Sequence, residues 1–189
     1  MKIIALSLFL SLFSMTILSS AEYHVDKNEK NLVRFISETP VENFDGKTSK
    51  IDGYFIAENI ENLNSAELYF EVEVGSFDTG IGLRNRHMKE DYLHTDKYPL
   101  THFKGQISSS KKISETEFDV TTSGKLFLHG VTKDVTITGK IYKLQNGFKL
   151  KSDFSFKLPD YKIKVPKFMF VRISEEIKLQ LDFIVKLAE

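Results

Sequence analysis

The chain has 189 residues, with 26 basic and 26 acidic side chains, 16 Phe, 7 Tyr, no Trp and no Cys. Balanced charge removes any global pull on nucleic acid or anionic lipid, so no nucleic-acid partner is expected. Without Cys there is no disulfide, no thiol catalysis and no lipid-modified N-terminal Cys, so the fold must stand on its own core.

The first element is a targeting segment. Lys2 precedes an apolar run from Ile3 to Leu18 interrupted only by Ser and Thr, and "SSA" comes next with small residues where a signal peptidase reads. This is the layout of a secretory signal peptide, too short and too soon succeeded by polar sequence for a stable membrane span. Cleavage is expected after Ala21, with Ser20 as second choice. The expected domains are therefore a signal peptide over residues 1–21 and one barrel domain over 22–189, and the expected location is the periplasm.

Period-two alternation dominates the rest of the chain, placing successive side chains on opposite faces of strands. In chain order, "NLVRFIS" puts Val33 and Phe35 on one face, and "KIDGYFIA" puts Ile51, Gly53 and Phe55 there. "AELYFEVEV" sets Leu68, Phe70, Val72 and Val74 against Glu67, Tyr69, Glu71 and Glu73. "THFKGQIS" gives Phe103 and Ile107, and "EFDVTTSGKLFL" gives Phe118, Val120, Leu126 and Leu128. "DVTITGKIYKL" gives Val135, Ile137 and Ile141, and "FKLKSDFSFKL" gives Phe148, Leu150, Phe154 and Phe156. "EIKLQLDFIVKL" closes with Ile177, Leu179, Leu181, Phe183 and Val185. About eight strands with one apolar face, joined by short polar turns, predict an antiparallel sheet that closes into a barrel or folds into a sandwich. The opening stretch breaks the pattern. So does Pro159 to Ser174, where two prolines remove ladder donors and predict a loop or cap.

Gly80 to Pro99 concentrates chemistry-bearing side chains. A short helix over Leu83 to Leu93 would align His87, Asp91 and His94, four and then three residues apart. Two imidazoles and a carboxylate suit a transition metal, so a metal-dependent or hydrolytic enzyme using Arg84, His87, Asp91 and His94 is the alternative function. The competing reading is structural, with His87 pinning a strand connection by hydrogen bonds. No Gly-x-Ser-x-Gly elbow is present, and no spacing nominates a triad. His129, beside Gly130 at a strand end, reads as a turn histidine tied to backbone. No residue is assigned as catalytic or as a metal ligand.

The remaining signal is the phenylalanine stock. Phe35, Phe55, Phe70, Phe103, Phe118, Phe154, Phe156 and Phe183, with Val72, Val120, Leu128, Ile137 and Leu181, form the inward set. In an eight-stranded barrel they either fill the core or line a cavity for an apolar molecule, and both readings use the same face.

The blocks "FDGKTSKIDGYF", "SFDTGIGLRNRHMKEDYLHTDKYPLTHFKG" and "GKLFLHGVTKDVTITG", in that order before a closing alternating strand, resemble the YceI-like family, also called polyisoprenoid-binding or lipid-binding proteins. The resemblance spans the region after the targeting segment. It implies an all-β, lipocalin-like closed antiparallel barrel of about eight strands with a short helical or loop cap. It also implies a periplasmic, non-enzymatic carrier that holds an isoprenoid or other long-chain amphiphile in the barrel, often as a homodimer, with no cofactor beyond that ligand. Arg84, His87 and Met88 would then lie on the connection crossing the barrel end and, with Phe168, form a ligand mouth or a structural pin. The chain departs from the family where many members carry an Arg-x-Asp-Phe-Gly-like motif; "LPDYKIKVPKFMFVRIS" stands there instead.

Overall fold

The computed structural model describes residues 20–38, 43–168, 171–172 and 174–188. The expected signal segment, up to residue 19, lies outside them. The strands are β1 (Ala21–Val25), β2 (Leu32–Ser37), β3 (Phe44–Thr48), β4 (Ile51–Ala57), β5 (Glu67–Glu73), β6 (Leu100–Lys112), β7 (Glu117–Leu128), β8 (Val131–Leu144), β9 (Gly147–Lys157), β10 (Lys167–Phe168), β11 (Val171–Arg172) and β12 (Glu176–Leu187). The single α-helix among the described residues, α1, spans Gly82–His87.

Eight strands close an antiparallel ring in the order β1, β4, β5, β6, β7, β8, β9, β12 and back to β1. The expected number is right, but one member differs. The sequence pattern assigned a ring place to β2 and none to β1. In the structure the second half of β12 pairs with β1 through Val185 to Leu187, while its first half, Ile177 to Asp182, pairs with β2. A 12-residue strand is long enough to serve two short partners in succession. β3 then pairs with β2, and its Lys47 bridges back to Asp78 through two backbone bonds of 2.9 Å. The two ends of the barrel are thus closed by different strands.

Those ends also differ in filling. At the end carrying the turns between β6 and β7 and between β8 and β9, large side chains converge. Tyr23, Phe55, Phe118, Phe148, Leu63, Ile107 and Val185 are all under 9 % exposed. Tyr23 and Phe55 meet the Phe148 ring edge-on at 4.9 and 5.3 Å. Each such ring, fully removed from water, contributes about 1.5–3 kcal/mol, which makes this end a solid plug. Toward the other end the inward positions of β9 run buried at Phe148 and Leu150, then half-buried at Ser152, Phe154 and Phe156. Rings that face inward yet keep accessible surface border a hollow.

Close backbone approach helps keep the hollow open. Gly105 and Gly124 are register partners on β6 and β7, and a Cβ on either would come within 2.7 Å of the Phe103 ring. Two adjacent residues without side chains let that ring lie against the wall.

The wall itself is incomplete. β8 and β9 pair from Leu144–Gly147 only as far as Gly139–Ser152, although both strands continue. Beyond that point a 3-10 turn at Leu158–Tyr161 leads into Ile163. Tyr161 and Ile163 pack with Leu126, Leu128, Phe154 and Phe156 as a wedge. The described residues of the stretch 159–174 thus supply the expected cap, with β10 and β11 pairing antiparallel within it.

Candidate functional site

The hollow is one cavity of about 900 Å3, reaching from the plug to the end spanned by α1. Of the residues expected to line it, Phe35, Phe70, Val72, Phe103, Val120, Leu128, Ile137, Phe154, Phe156, Leu181 and Phe183 do so. Phe55 and Phe118 do not. They sit in the plug at 0 % and 1 % exposure. Their alternation gives the correct face, but face alone does not say how far along the barrel axis a residue lies. Phe70 and Phe183, edge to face at 4.8 Å, form a lower layer of the lining.

Arg84, His87 and Met88 all border the cavity at its mouth. The side chain of Phe168 lies outside what the structure describes. The sequence reading missed Phe44, Phe77, Tyr92, Leu93, Ile163 and Pro166 as lining residues, and also Ile81 and Leu83, which are 50 % and 55 % exposed at the rim. Phe44 opens β3, whose short sequence has no alternation of its own, and the others belong to connections, where no period assigns a face.

The crossing between β5 and β6 is fastened by residues other than the expected one. Asn85 Oδ1 accepts from Thr79 N at 2.9 Å and from Thr79 Oγ1 at 2.7 Å, and Asn85 Nδ2 donates to Asp78 Oδ1 at 2.7 Å. The Asn85 bond, aided by Gly80 N, holds the Asp78 carboxyl below its ordinary pKa. Arg84 donates from Nε to Thr79 Oγ1 at 3.0 Å and from Nη2 to Thr79 O at 2.9 Å. Its guanidinium lies 4.6 Å over the Phe44 ring. His87 is exposed and makes no hydrogen bond among the described residues. The expectation that His87 pins the crossing is therefore corrected. Amide and guanidinium groups one turn earlier reach the Asp78–Thr79 backbone, and His87 faces the hollow.

The metal cluster is not assembled either. α1 ends at His87, and a π-turn over Met88–Tyr92 takes up the chain, so the register that would align Asp91 and His94 is lost. His94, in the left-handed region at φ 45°, turns to His129 instead. Among the described residues no group of three or more His, Asp or Glu side chains could hold a metal ion. His129 has the expected backbone tie, its Nδ1 lying 3.1 Å from Tyr161 O.

Three hydroxyls of the lumen are spent internally. Thr101 Oγ1 donates to Phe127 O at 2.6 Å, Thr122 Oγ1 to Ile137 O at 2.9 Å, and Ser152 Oγ to Thr138 O at 2.7 Å. What remains is a largely apolar lumen with one plugged end and a polar-edged mouth beneath α1. Such a space can bury a chain-like apolar molecule.

The model of the YceI-like domain matches residues 23–185. A UPF0312 protein of Pseudomonas paraeruginosa is 28 % identical over 187 residues, which is 94 % of this chain and 93 % of that protein. Protein YceI of Shigella flexneri is 32 % identical over 133 residues, 69 % of this chain and 66 % of that one. Among solved structures, BcnA of Burkholderia cenocepacia aligns with a TM-score of 0.71 at 17 % identity, covering 85 % of this chain and 98 % of its own. A polyisoprenoid binding domain from Saccharophagus degradans aligns with a TM-score of 0.67 at 14 % identity, covering 90 % and 100 %. At these identities the structural likeness speaks to the fold.

Proposed function

This chain belongs to the YceI-like domain family, and we propose from that premise that it is a non-enzymatic carrier holding an isoprenoid or other long-chain amphiphile in its lumen. The observation that carries the proposal is the 900 Å3 cavity lined by inward Phe rings and open at one end. That volume falls within the ~300–1,000 Å3 of ligand pockets. Burial of apolar chain there is worth ~25 cal/mol per Å2, so several isoprene-sized units supply tight binding with no catalytic group. The polyisoprenoid binding described for the Saccharophagus degradans domain supports the same ligand class.

The proposal includes export. Residues 1–21 are removed as a signal peptide, and the barrel works in the periplasm, as a homodimer by the family resemblance. No helix among the described residues is long and apolar enough to cross a membrane.

The test is extraction of the purified protein with organic solvent and mass spectrometry of the extract. A stoichiometric long-chain molecule is the expected result. An empty extract, together with failure to bind any isoprenoid or long-chain amphiphile after loading, overturns the carrier reading. Sedimentation velocity on the same sample decides between monomer and dimer.

A further inference from the structure

We propose that the rim of the mouth is a docking surface for an anionic lipid bilayer, with the tip at residues 80–83 entering the bilayer and the cations around it resting on the headgroups. This goes beyond the carrier reading, because a carrier can also load from solution or from another protein.

The first observation is an apolar tip that the fold pushes outward. Ile81 and Leu83 are 50 % and 55 % exposed. A Cβ added at Gly80 or Gly82 would meet no atom within 4 Å. The chain there stands clear of the barrel, and the outer halves of the two side chains have no protein over them. Neighbouring large apolar side chains held in water at a polar rim mark a contact surface. Both also border the cavity, so apolar surface continues from the tip into the lumen. A molecule that water rejects needs such a path from the phase that dissolves it, and that phase is a bilayer.

The second observation is charge. Over residues 79–89 every charged side chain is a cation: Arg84, Arg86 and Lys89. The acids of the crossing, Glu90, Asp91 and Asp96, come later, in the π-turn and after it. On the cap, Lys162 and Lys164 are exposed on either side of Ile163, which is buried and borders the cavity. Asp160, the acid of that turn, is taken by Lys133 at 3.3 Å. Arg84, Arg86, Lys162 and Lys164 have no ion-pair partner among the described residues. Elsewhere lysines sit in carboxylate pairs, such as Lys125 with Asp134 at 2.7 Å and Lys149 with Asp182 at 3.0 Å. At the plugged end Glu61 holds both Lys112 and Lys143.

Unpaired cations around one opening, beside an apolar tip, match a surface that is negative outside and apolar within. Each cation close to an anionic leaflet strengthens partitioning about fivefold, and the tip adds apolar burial. A second copy seated mouth to mouth would set the same cations against each other, which opposes that pairing.

The test uses the full-length exported protein and vesicles of phosphatidylcholine, alone or mixed with phosphatidylglycerol. In flotation the protein should partition about tenfold more strongly onto the mixed vesicles, and added salt should release it. Lys162→Gln with Lys164→Gln should lower that partitioning about tenfold or more, and Ile81→Ser with Leu83→Ser several-fold. None of these side chains makes a hydrogen bond or ion pair among the described residues, so both double variants should melt with the parent. The chain has no Cys, so single labels report orientation. An environment-sensitive fluorophore on Leu83→Cys should shift to the blue on mixed vesicles. The same label on Leu144→Cys, 40 % exposed at the plugged end, should not. No preference for mixed vesicles, equal shifts at both labels, or binding that survives both double substitutions overturns the docking surface. So does a dimer in sedimentation velocity that the rim substitutions dissolve, which would assign the rim to a second copy. None of these results touches the carrier reading, which fails only if no chain-like molecule can be extracted or loaded.

Discussion

His94 Nδ1 and His129 Nε2 meet at 2.9 Å with their rings stacked, centroids 5.2 Å apart, across 35 residues of sequence. Their tautomers are set by a third group. His129 Nδ1 lies 3.1 Å from Tyr161 O, which can only accept, so Nδ1 carries the proton and Nε2 accepts from His94. One relay thereby joins three segments at the mouth: the crossing after α1, the turn between β7 and β8, and the cap. Both histidines hold left-handed backbone, at φ 45° and 50°. Gly130 completes the turn at φ 76°, where a Cβ would come within 2.7 Å of the Tyr98 ring.

Replacing His129 with Ala should therefore loosen the mouth while leaving the ring of strands intact. Loss of about 1–2 kcal/mol is expected for two hydrogen bonds in a half-buried setting. Amide exchange should quicken in residues 78–95 and at the cap but not in β7 or β8. Unchanged exchange in the crossing would show that the relay does not hold it.

Asn85 gives the second prediction. Its amide satisfies the Asp78 carboxylate and both the N–H and hydroxyl of Thr79. Asn85→Ala should cost about 1–3 kcal/mol in urea unfolding, whereas His87→Ala, which removes no intramolecular bond, should stay within about 0.5 kcal/mol of the parent. The reverse ranking would restore His87 as the pin.

How much of this was legible in the sequence depends on periodicity. Alternation such as Leu68, Phe70, Val72 against Tyr69, Glu71 places every long strand and its inward face, because a strand has only two faces. β1 escaped, since Tyr23 and Val25 give too few repeats beside the small-residue site. β3 escaped because "FDGKT" has no alternation of its own and pairs only because β2 lies next to it. The crossing misled, because His87, Asp91 and His94 align only if helical register continues, and the π-turn interrupts it. Depth along the axis was also recoverable. Phe118 and Phe148 each stand second in their strands, beside turns that an up-and-down barrel must put at one end. That placement points to the plug.

Phe118 and Phe156 should accordingly behave differently despite sharing an inward face. Phe118→Ala opens a void in the plug and should cost about 3–5 kcal/mol. Phe156, half-exposed at the cavity and touching Tyr161 edge-on at 5.4 Å, should cost less when truncated. Phe156→Gln should fold and weaken binding of a labelled isoprenoid roughly tenfold or more, given ~1–3 kcal/mol for an unpaired polar group in an apolar site. Tyr69→Gln, on the outer wall, is the control. Equal binding by Phe156→Gln and the parent would remove Phe156 from the ligand path.

Processing can be read from intact mass. Protein exported by a bacterial host should begin at Glu22 or Ala21. Ala21 pairs with Ala57 at the start of β1, so a start at Ala21 keeps that rung of the ladder and a start at Glu22 loses it. A mass that retains Met1 to Ser19 would remove the periplasmic reading.

The plugged end carries the clearest pH dependence. Glu61, between β4 and β5, accepts from Lys143 Nζ on β8 at 2.7 Å and from Lys112 Nζ on β6 at 2.9 Å, clipping the connection across the barrel floor. Lys143 first, then Lys112, lower its carboxyl from 4.5 to about 2. A depressed folded-state value means that unfolding raises proton affinity. The stability from this clip is therefore complete above about 4.5 and is lost as pH falls toward about 2. Glu61→Gln should flatten the pH dependence of the melting temperature across that interval and leave it parallel to the parent at neutral pH. The group is solvent-exposed, so added salt should shrink the difference. A carboxyl-carbon NMR titration of Glu61 gives the direct reading, and a midpoint near its ordinary 4.5 would show that the two lysines do not hold it.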